Sequence, residues 1–252
     1  KTAYEIRNCD WSSDVCSSDL IDVVARGAAF AAFLNCGQVC TSAERFYVHR
    51  DVHDQFVEAF AEQARALRVG SGLDNVDMGP LASSRERDRF EKVLHRAIEQ
   101  GARVVTGAKR PERFARGWFH EPTVIEVSHD FDIMHGESFG PVAPVCRVDN
   151  LDQAIEFAND SSVGLGANIY TSDLHEAFRA VHEIESGIVW VNTPLNDNDA
   201  VPFGGRKLTG SGRELGAEGL EQFRRSKMVM ISPTAEADPE WFPYPDEDAY
   251  RR

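Results

Sequence analysis

The cysteine at position 40 has the surroundings that a reactive thiol needs. It lies in the sequence FLNCGQVCT, residues 33–41, three positions beyond Gly37 and past the end of a long apolar helical run. Backbone N–H groups left unpaired at a glycine turn favour a thiolate, and they stabilise the oxyanion that forms when it attacks a carbonyl group. This placement predicts a nucleophile at Cys40. The alternative is an inert packed side chain, because cysteine also behaves as a small hydrophobic residue.

Two glycine-containing segments further along the chain accompany the cysteine motif. They are ESFGPV at residues 137–142 and PFGGRK at residues 202–207, and the second is followed by SGRELG at residues 211–216. On its own, Glu137 beside Gly136 is typical of a solvated loop carboxylate. The paired glycines indicate close backbone approach. Neither segment has the GxxxxGK[ST] or GxGxxG form of a phosphate-binding loop.

Together with ERFYVH at residues 44–49, these motifs occur in an order that resembles the NAD(P)-dependent aldehyde dehydrogenase superfamily. The resemblance covers about residues 20–233 and corresponds to roughly the C-terminal half of a family member. It implies that Cys40 is the nucleophile and that NAD or NADP is the cofactor. The carboxylate of Glu137 would accept hydrogen bonds from the ribose hydroxyls next to the nicotinamide, and the rings of Phe139 and Phe203 would flank the nicotinamide itself.

The reaction that the resemblance implies is the oxidation of a small-molecule aldehyde to a carboxylic acid. Addition of the Cys40 thiolate gives a thiohemiacetal that releases hydride to the nicotinamide, and the resulting thioester is then hydrolysed. Sulfur suits both stages because it adds easily and leaves easily. Thr41 and Asn192 are the expected substrate-pocket residues, although an asparagine after a strand is also typical of the start of a turn.

Parts of the family's machinery do not occur in this sequence. The family's general base is a glutamate in an LELGG motif upstream of the helix leading to the cysteine, and the oxyanion-binding asparagine comes from still further upstream. Residues 2–7 read TAYEIR instead, so no role passes to Glu5. The dinucleotide-binding domain is also missing.

Three interpretations follow from these gaps. The chain is the catalytic half of an aldehyde dehydrogenase, inactive as a dehydrogenase without an N-terminal half. Alternatively, it is a cysteine-dependent esterase or thioesterase, which would need a base near Cys40, or it is a non-enzymatic oligomerisation module. The eight histidines form no pattern that identifies such a base.

The elements that must position these motifs alternate between helices and strands. Apolar periodicity predicts helices at residues 19–35, 52–67 (capped by Asp51), 84–100, 149 or 151 to 159, and 173–184. It predicts strands at residues 46–48, 103–106, 119–127, 141–148, 165–171 and 188–192. Alternation of this kind predicts an α/β fold with a parallel sheet covered by helices on both faces. Sites in such sheets lie at the carboxyl ends of the strands, which is where Asn192 falls.

Four regions are expected. In residues 1–19, SSDVC recurs in part as SSD; this stretch resembles a cloning or sequencing adapter, so we expect it to be foreign to the fold or disordered, with a natural flexible tail as the alternative. Residues 20–225 form the partial catalytic domain. Residues 226–233 form an apolar oligomerisation strand, which by resemblance joins subunits of a homodimer or homotetramer. Residues 234–252 are an acidic, aromatic tail, either disordered or docked.

Composition narrows the class of protein and its surroundings. The net charge of -14, from 27 basic and 41 acidic residues, disfavours nucleic acid or an anionic membrane as a partner. The five cysteines are irregularly spaced and predict no disulfide framework or metal site, which suits a reducing cytoplasm. No apolar run approaches the ~18 residues that a membrane helix needs, and no signal peptide is recognisable. We therefore expect a cytoplasmic protein with no membrane partner.

Overall fold

The computed structural model describes residues 2–6, 18–236 and 241–242. Its strands are β1 Thr2–Ile6, β2 Ala43–His49, β3 Arg103–Thr106, β4 Thr123–Glu126, β5 Val142–Val148, β6 Val163–Gly164, β7 Gly166–Tyr170, β8 Ile188–Val191 and β9 Arg206–Lys207. Its α-helices are α1 Ser18–Phe33, α2 His53–Ala66, α3 Ser84–Glu99, α4 Asp132–His135, α5 Leu151–Asn159, α6 Leu174–Glu183 and α7 Gly216–Glu221. A 3₁₀ turn, Leu34–Gly37, follows α1. The short elements β6, β9, α4 and α7 were not predicted.

Seven strands form one sheet in the order β3-β4-β5-β2-β1-β7-β8, and β6 and β9 form a separate two-stranded ribbon. The predicted α/β fold is confirmed, but the sheet is mixed because β3 runs antiparallel to β4. No helix lies between these two strands, and a parallel pair requires a crossover connection. Helix α2 begins at His53 after Val52, so the predicted cap at Asp51 is wrong. Side chains of Ser83, Asn150 and Asp173 cap three of the other helices.

The N-terminal segment departs from the sequence prediction. We expected residues 1–19 to lie outside the fold, but Thr2–Ile6 forms β1 and pairs in parallel with both β2 and β7. The physical reason is backbone hydrogen bonding: without a strand in this gap, β2 and β7 would each leave a row of N–H and C=O groups unpaired in the middle of the sheet. Residues 7–17 lie outside the described residues.

Helix α1 packs through small side chains that allow close approach to the sheet and to α2. Its fully buried positions include Ala25, Ala28 and Ala32. The segment Leu20–Gly37 has a mean hydropathy of 1.4 over 18 residues, enough by length and composition to cross a membrane. The prediction that no run approaches this length is therefore wrong. Half of the segment is buried within the protein, so packing in the core accounts for its apolar character.

The predicted oligomerisation strand is not a strand in this single chain. Residues 224–236 carry no regular secondary structure, and four apolar side chains there are 66–83% exposed: Met228, Val229, Met230 and Ile231. A strand is defined by its hydrogen-bonded neighbour, and no described strand lies beside this segment. In the tail, Trp241 and Phe242 are 63% and 82% exposed, and the rest of 237–252 lies outside the described residues.

A cluster of buried phenylalanines joins α1, α2 and β2 beneath the cysteine turn. The ring of Phe60 lies 5.0 Å from Phe46, 5.2 Å from Phe56 and 6.0 Å from Phe33, measured between centroids. Phe60 is completely buried, so its removal leaves a cavity that these rigid neighbours cannot close.

We predict that Phe60→Ala lowers the free energy of unfolding by about 3–5 kcal/mol, through lost apolar burial and the cavity left behind. Urea unfolding followed by circular dichroism measures the change. Phe178→Ala is the matched control, since Phe178 is 62% exposed and its truncation should change stability by no more than about 0.5 kcal/mol. Similar losses in the two variants would contradict this account of the core.

Candidate active site

The turn that carries Cys40 is held in an unusual backbone conformation. Asn35, Cys36 and Gly37 have φ values of 50°, 61° and 68°, so three consecutive residues are left-handed. Two of them are not glycine, and the left-handed region costs such residues roughly 1–2 kcal/mol each. The Asn35 side chain offsets part of this cost by donating to the Gln38 carbonyl at 3.1 Å. A second turn, closed by Ser42 N–H bonding the Val39 carbonyl at 3.0 Å, leaves Cys40 exposed.

The turn rests directly on the loop that contains the second motif. A Cβ atom on Gly37 would overlap the carbonyl oxygen of Gly140, and one on Gly140 would overlap the ring of Phe90. Phe90 is a fully buried residue of α3. The two glycines therefore allow a backbone-to-backbone contact that no other residue type permits. The structure thus brings the cysteine motif and residues 137–140 together.

A buried carboxylate on β2 fixes the 137–140 loop. Glu44 is 5% exposed, and its Oε1 accepts from the Phe139 N–H at 2.7 Å and from the Ser138 hydroxyl at 3.2 Å. Its Oε2 is buried and has no hydrogen-bond partner. These bonds hold Phe139 at a φ of 44°. Glu44 was not among the predicted site residues, because the predicted strand began only at residue 46; β2 in fact begins at Ala43 and buries this carboxylate.

An arginine on α3 fixes the same loop from the other side. The guanidinium of Arg89 donates to the Ser138 carbonyl at 2.9 Å, to the Glu137 carbonyl at 3.3 Å and to the Phe139 carbonyl at 3.5 Å. It also pairs with Glu86 at 3.0 Å. The Glu137 side chain remains exposed at the loop. Sequence reasoning missed Arg89, because an arginine on an amphipathic helix is usually a solvated residue.

The third motif forms its own braced turn. Phe203 is half-buried and exchanges two backbone hydrogen bonds with Glu214, at 2.7 and 2.8 Å. Arg213 donates to the carbonyls of Gly205 and Gly212, both at 2.9 Å. A Cβ on Gly187 would overlap the Gly204 carbonyl, so this turn packs on the residue that precedes β8.

All three motifs lie at the amino ends of the parallel strands, so the predicted carboxyl-end site is wrong. Cys40 precedes β2, residues 137–140 precede β5, and Gly187 precedes β8. The physical reason is the direction of the crossover helix. Helix α1 follows β1 and returns antiparallel to the strands, so its C-terminal end delivers the cysteine turn to the amino edge.

The structure does not bring Asn192 to Cys40. Asn192 follows β8 at the opposite, carboxyl edge, and both polar atoms of its side chain bond the backbone of Thr171: Oδ1 accepts at 2.9 Å and Nδ2 donates at 2.8 Å. This side chain ties the end of β8 to the end of β7. Thr41, by contrast, is adjacent to Cys40 and 6% exposed.

The three cysteines of the described residues differ in how deeply they are buried. Cys36 is 1% exposed, and desolvation raises the pKa of its thiol to about 12. Cys146 is 3% exposed, and desolvation raises the pKa of its thiol to about 11. Both therefore stay protonated at neutral pH. Only the thiolate form attacks a carbonyl carbon, so neither is suited to be the nucleophile. Cys40 is exposed and lies beside the 137–140 loop, so among these three it has the access that nucleophilic addition requires.

Comparison with known proteins gives consistent matches. The model of the aldehyde dehydrogenase family matches residues 15–229. The chain is 40% identical over 233 residues to succinate-semialdehyde dehydrogenase (NADP(+)) 1 of Mycobacterium bovis (strain BCG / Pasteur 1173P2), covering 92% of this chain and 50% of that protein. It is 37% identical over 216 residues to 3,6-anhydro-alpha-L-galactose dehydrogenase of Vibrio sp. (strain EJY3), covering 84% and 45%.

Solved structures agree with these matches. Betaine aldehyde dehydrogenase of Staphylococcus aureus in complex with NAD+ is similar with a TM-score of 0.86 at 30% identity, over 96% of this chain and 47% of that one. Lactaldehyde dehydrogenase of Escherichia coli gives a TM-score of 0.82 at 32% identity, over 90% and 46%. The chain therefore spans about half the length of the relatives it matches.

We predict that brief iodoacetamide treatment of the folded chain at pH 8 modifies Cys40 before Cys36 and Cys146. At that pH, thiols with pKa values of about 12 and about 11 are only ~0.01% and ~0.1% thiolate. Peptide mapping after a short pulse measures the order. The same pulse in urea is the control and should label all three, whereas preferential labelling of Cys36 in the folded chain would overturn the assignment of Cys40.

Proposed function

The chain belongs to the aldehyde dehydrogenase family, and we propose that it supplies the nucleophile and the nicotinamide-binding side of an NAD(P)-dependent aldehyde oxidation. One observation carries this proposal: the turn of Cys40 and the loop of Glu137 rest on each other through Gly37 and Gly140. A nucleophile and a ribose-binding carboxylate must be held at a fixed separation if hydride is to pass between substrate and cofactor.

In the proposed reaction, the Cys40 thiolate adds to the carbonyl carbon of a small-molecule aldehyde, forming a C–S bond and an alkoxide. When bound, NAD or NADP accepts the hydride that leaves this carbon as the alkoxide re-forms a carbonyl. The resulting thioester on Cys40 is hydrolysed: water adds to its carbon, the C–S bond breaks, the carboxylic acid departs and the thiolate is restored. No LELGG motif occurs in this sequence, so we assign the base for the water step to no residue of this chain.

The residues present fit the nicotinamide end of the cofactor. The Glu137 carboxylate is exposed while its backbone is fixed by Arg89, and two carboxylate oxygens are suitable acceptors for a pair of ribose hydroxyls. Phe139 is half-buried in the same loop, held by Glu44. We propose that its ring lies against the nicotinamide and that Phe203 contributes the second ring. Thr41 stays our proposed substrate-pocket residue because it adjoins Cys40. Asn192 ties β8 to β7 at the opposite edge of the sheet, so we do not assign it to the pocket.

We also propose that the working protein is cytoplasmic and assembles as a homodimer or homotetramer. Residues 228–231 expose a continuous apolar stretch, and β8 is at an edge of the sheet with one side unpaired by any described strand. An exposed edge and an exposed apolar segment are each aggregation hazards in a monomer. Addition of this segment as a strand to a second copy would cover both features.

We predict that the 252-residue chain alone does not reduce NAD(P)+ with succinate semialdehyde, and that joining it to the N-terminal half of a family member restores turnover. Absorbance of the reduced nicotinamide measures the rate. In the joined protein, Cys40→Ala should abolish turnover because no thiohemiacetal forms. Glu137→Gln should mainly raise the KM for the cofactor, roughly tenfold, because a charge-assisted hydrogen bond is replaced by a neutral one.

Cys36→Ala is the matched control, because Cys36 lies four residues from Cys40 but is buried and protonated. It should retain most of the activity. Robust NAD(P)+ reduction by the chain alone, or full activity of the Cys40→Ala protein, would contradict the proposed function.

For assembly, we predict that Val229→Lys lowers the apparent molecular mass measured by light scattering across a concentration series, because a buried lysine opposes strand addition. Leu73→Lys is the control, since Leu73 is 98% exposed in a loop outside the segment. If the unaltered chain stays monomeric at high concentration, and Val229→Lys only lowers its melting temperature, the strand-addition proposal fails.

A further inference from the structure

A large cavity lies at the edge of the sheet opposite Cys40. Its volume is about 620 Å³, and it is lined by residues that follow β4, by the end of β5 and by α5. Three of its lining residues carry metal-ligating groups: His129, His135 and Asp160. Nothing in the proposed oxidation uses these side chains, which reach the cavity from three different elements of the fold.

The ligand atoms of these residues converge. His129 Nε2 is 3.1 Å from Asp160 Oδ2, and His135 Nδ1 is 3.9 Å from the same oxygen. The three ligand atoms lie within 4.8 Å of one another. Ligands at about 2.0–2.1 Å in a tetrahedral site are roughly 3.3–3.4 Å apart, so the observed spacing needs only small side-chain adjustments.

Contacts on the second ring nitrogen of His129 hold the imidazole with Nε2 toward the carboxylate. His129 Nδ1 lies 3.4 Å from the Tyr47 hydroxyl, which donates its hydrogen to the Phe157 carbonyl at 3.1 Å. The opposite nitrogen, Nε2, faces Asp160 Oδ2 at 3.1 Å.

At 3.1 Å, the imidazole nitrogen of His129 and the carboxylate oxygen of Asp160 are close enough to share one cation. The His129 ring is also held in place, stacked on Phe157 with centroids 3.9 Å apart and planes 5° from parallel. An oriented imidazole with its second nitrogen hydrogen-bonded is the usual state of a histidine that binds a metal.

We propose that His129 Nε2, His135 Nδ1 and Asp160 Oδ2 bind a divalent transition metal of the zinc type. Two imidazole nitrogens and one carboxylate oxygen suit zinc or cobalt better than magnesium or calcium, which prefer oxygen ligands. The fourth position opens on the cavity and would hold water. Cys146 lines the same cavity but does not belong to the group of residues whose ligand atoms converge.

The described residues contain a second cluster of metal-ligating side chains, which differs from the proposed site in the charge partners of its carboxylates. His53, Asp54 and Glu126 are also within ligand distance of one another. There, however, Arg147 pairs with Asp54 and Arg103 pairs with Glu126, so both carboxylates are already neutralised. In the described residues, the ion-pair partners of Asp160 are the two histidines of the proposed site.

A metal at this site would link the end of α4 to the residue that follows α5. His135 is the last residue of α4, two positions before Glu137, and Asp160 immediately follows α5. Bound metal would cross-link these two helix ends and so oppose their separation during unfolding. The proposal does not depend on the oxidation chemistry at Cys40.

The test is titration of the tag-free 252-residue chain with Co²⁺, followed by visible absorption and by calorimetry. We expect one saturable site with nitrogen and oxygen ligands, and no sulfur-to-cobalt charge-transfer band. His135→Gln and Asp160→Ala should each weaken binding at least tenfold. His95→Gln, an exposed histidine on α3, and Asp54→Ala, from the second cluster, are matched controls and should bind as the unaltered chain does.

Thermal unfolding with Zn²⁺ gives a second readout, in which the melting temperature should rise for the unaltered chain and not for His135→Gln. Circular dichroism without metal checks that each variant is folded. The proposal is overturned by the absence of saturable binding, by a charge-transfer band, by unchanged affinity in His135→Gln and Asp160→Ala, or by an equal loss in Asp54→Ala.

Discussion

The contact between Gly37 and Gly140 is the constraint on which the rest of the candidate site depends. Neither residue has room for a Cβ atom, and Gly37 must also adopt a φ of 68°. The backbone of the cysteine turn therefore lies directly on the backbone of the next motif, and the Phe90 ring packs against Gly140. Two loops from distant parts of the sequence thus share one rigid contact, and a shift in either displaces the other.

Two consecutive residues of β2 hold α4 and the loop that follows it up to Gly140. Neighbouring side chains of a strand point to opposite faces of the sheet, so Glu44 and Arg45 contact different segments. Glu44 accepts from Ser138 and Phe139, while Arg45, 2% exposed, donates to the Met134 carbonyl and the Ser161 hydroxyl. The buried Glu44 Oε2 and Arg45 Nε have no partners, so each residue gives up part of its hydrogen-bonding capacity. Order in this segment is obtained at a cost in stability.

The features predicted from the sequence are those with a local signal. The helix leading to Cys40, the strands at 103–106 and 188–191, and the motif order each depend on short-range periodicity or turn residues. Features that depend on distant partners were missed or wrong. Thr2–Ile6 is a strand because two other strands leave a gap for it, and Arg89 is important because three carbonyls lie within its reach. The 227–231 segment had a strand's composition but has no neighbouring strand in the single chain.

Environment, more than residue type, distinguishes the two cysteines of the first motif. Cys36 and Cys40 are four residues apart, yet one is sealed under the turn with a pKa of about 12 and the other is exposed. At pH 7 a thiol with that pKa is roughly 0.001% thiolate. Disulfide formation and exchange begin with attack by a thiolate. Burial of Cys36 therefore protects the proposed nucleophile from its nearest sulfur neighbour, and the left-handed turn that buries Cys36 is the same turn that presents Cys40.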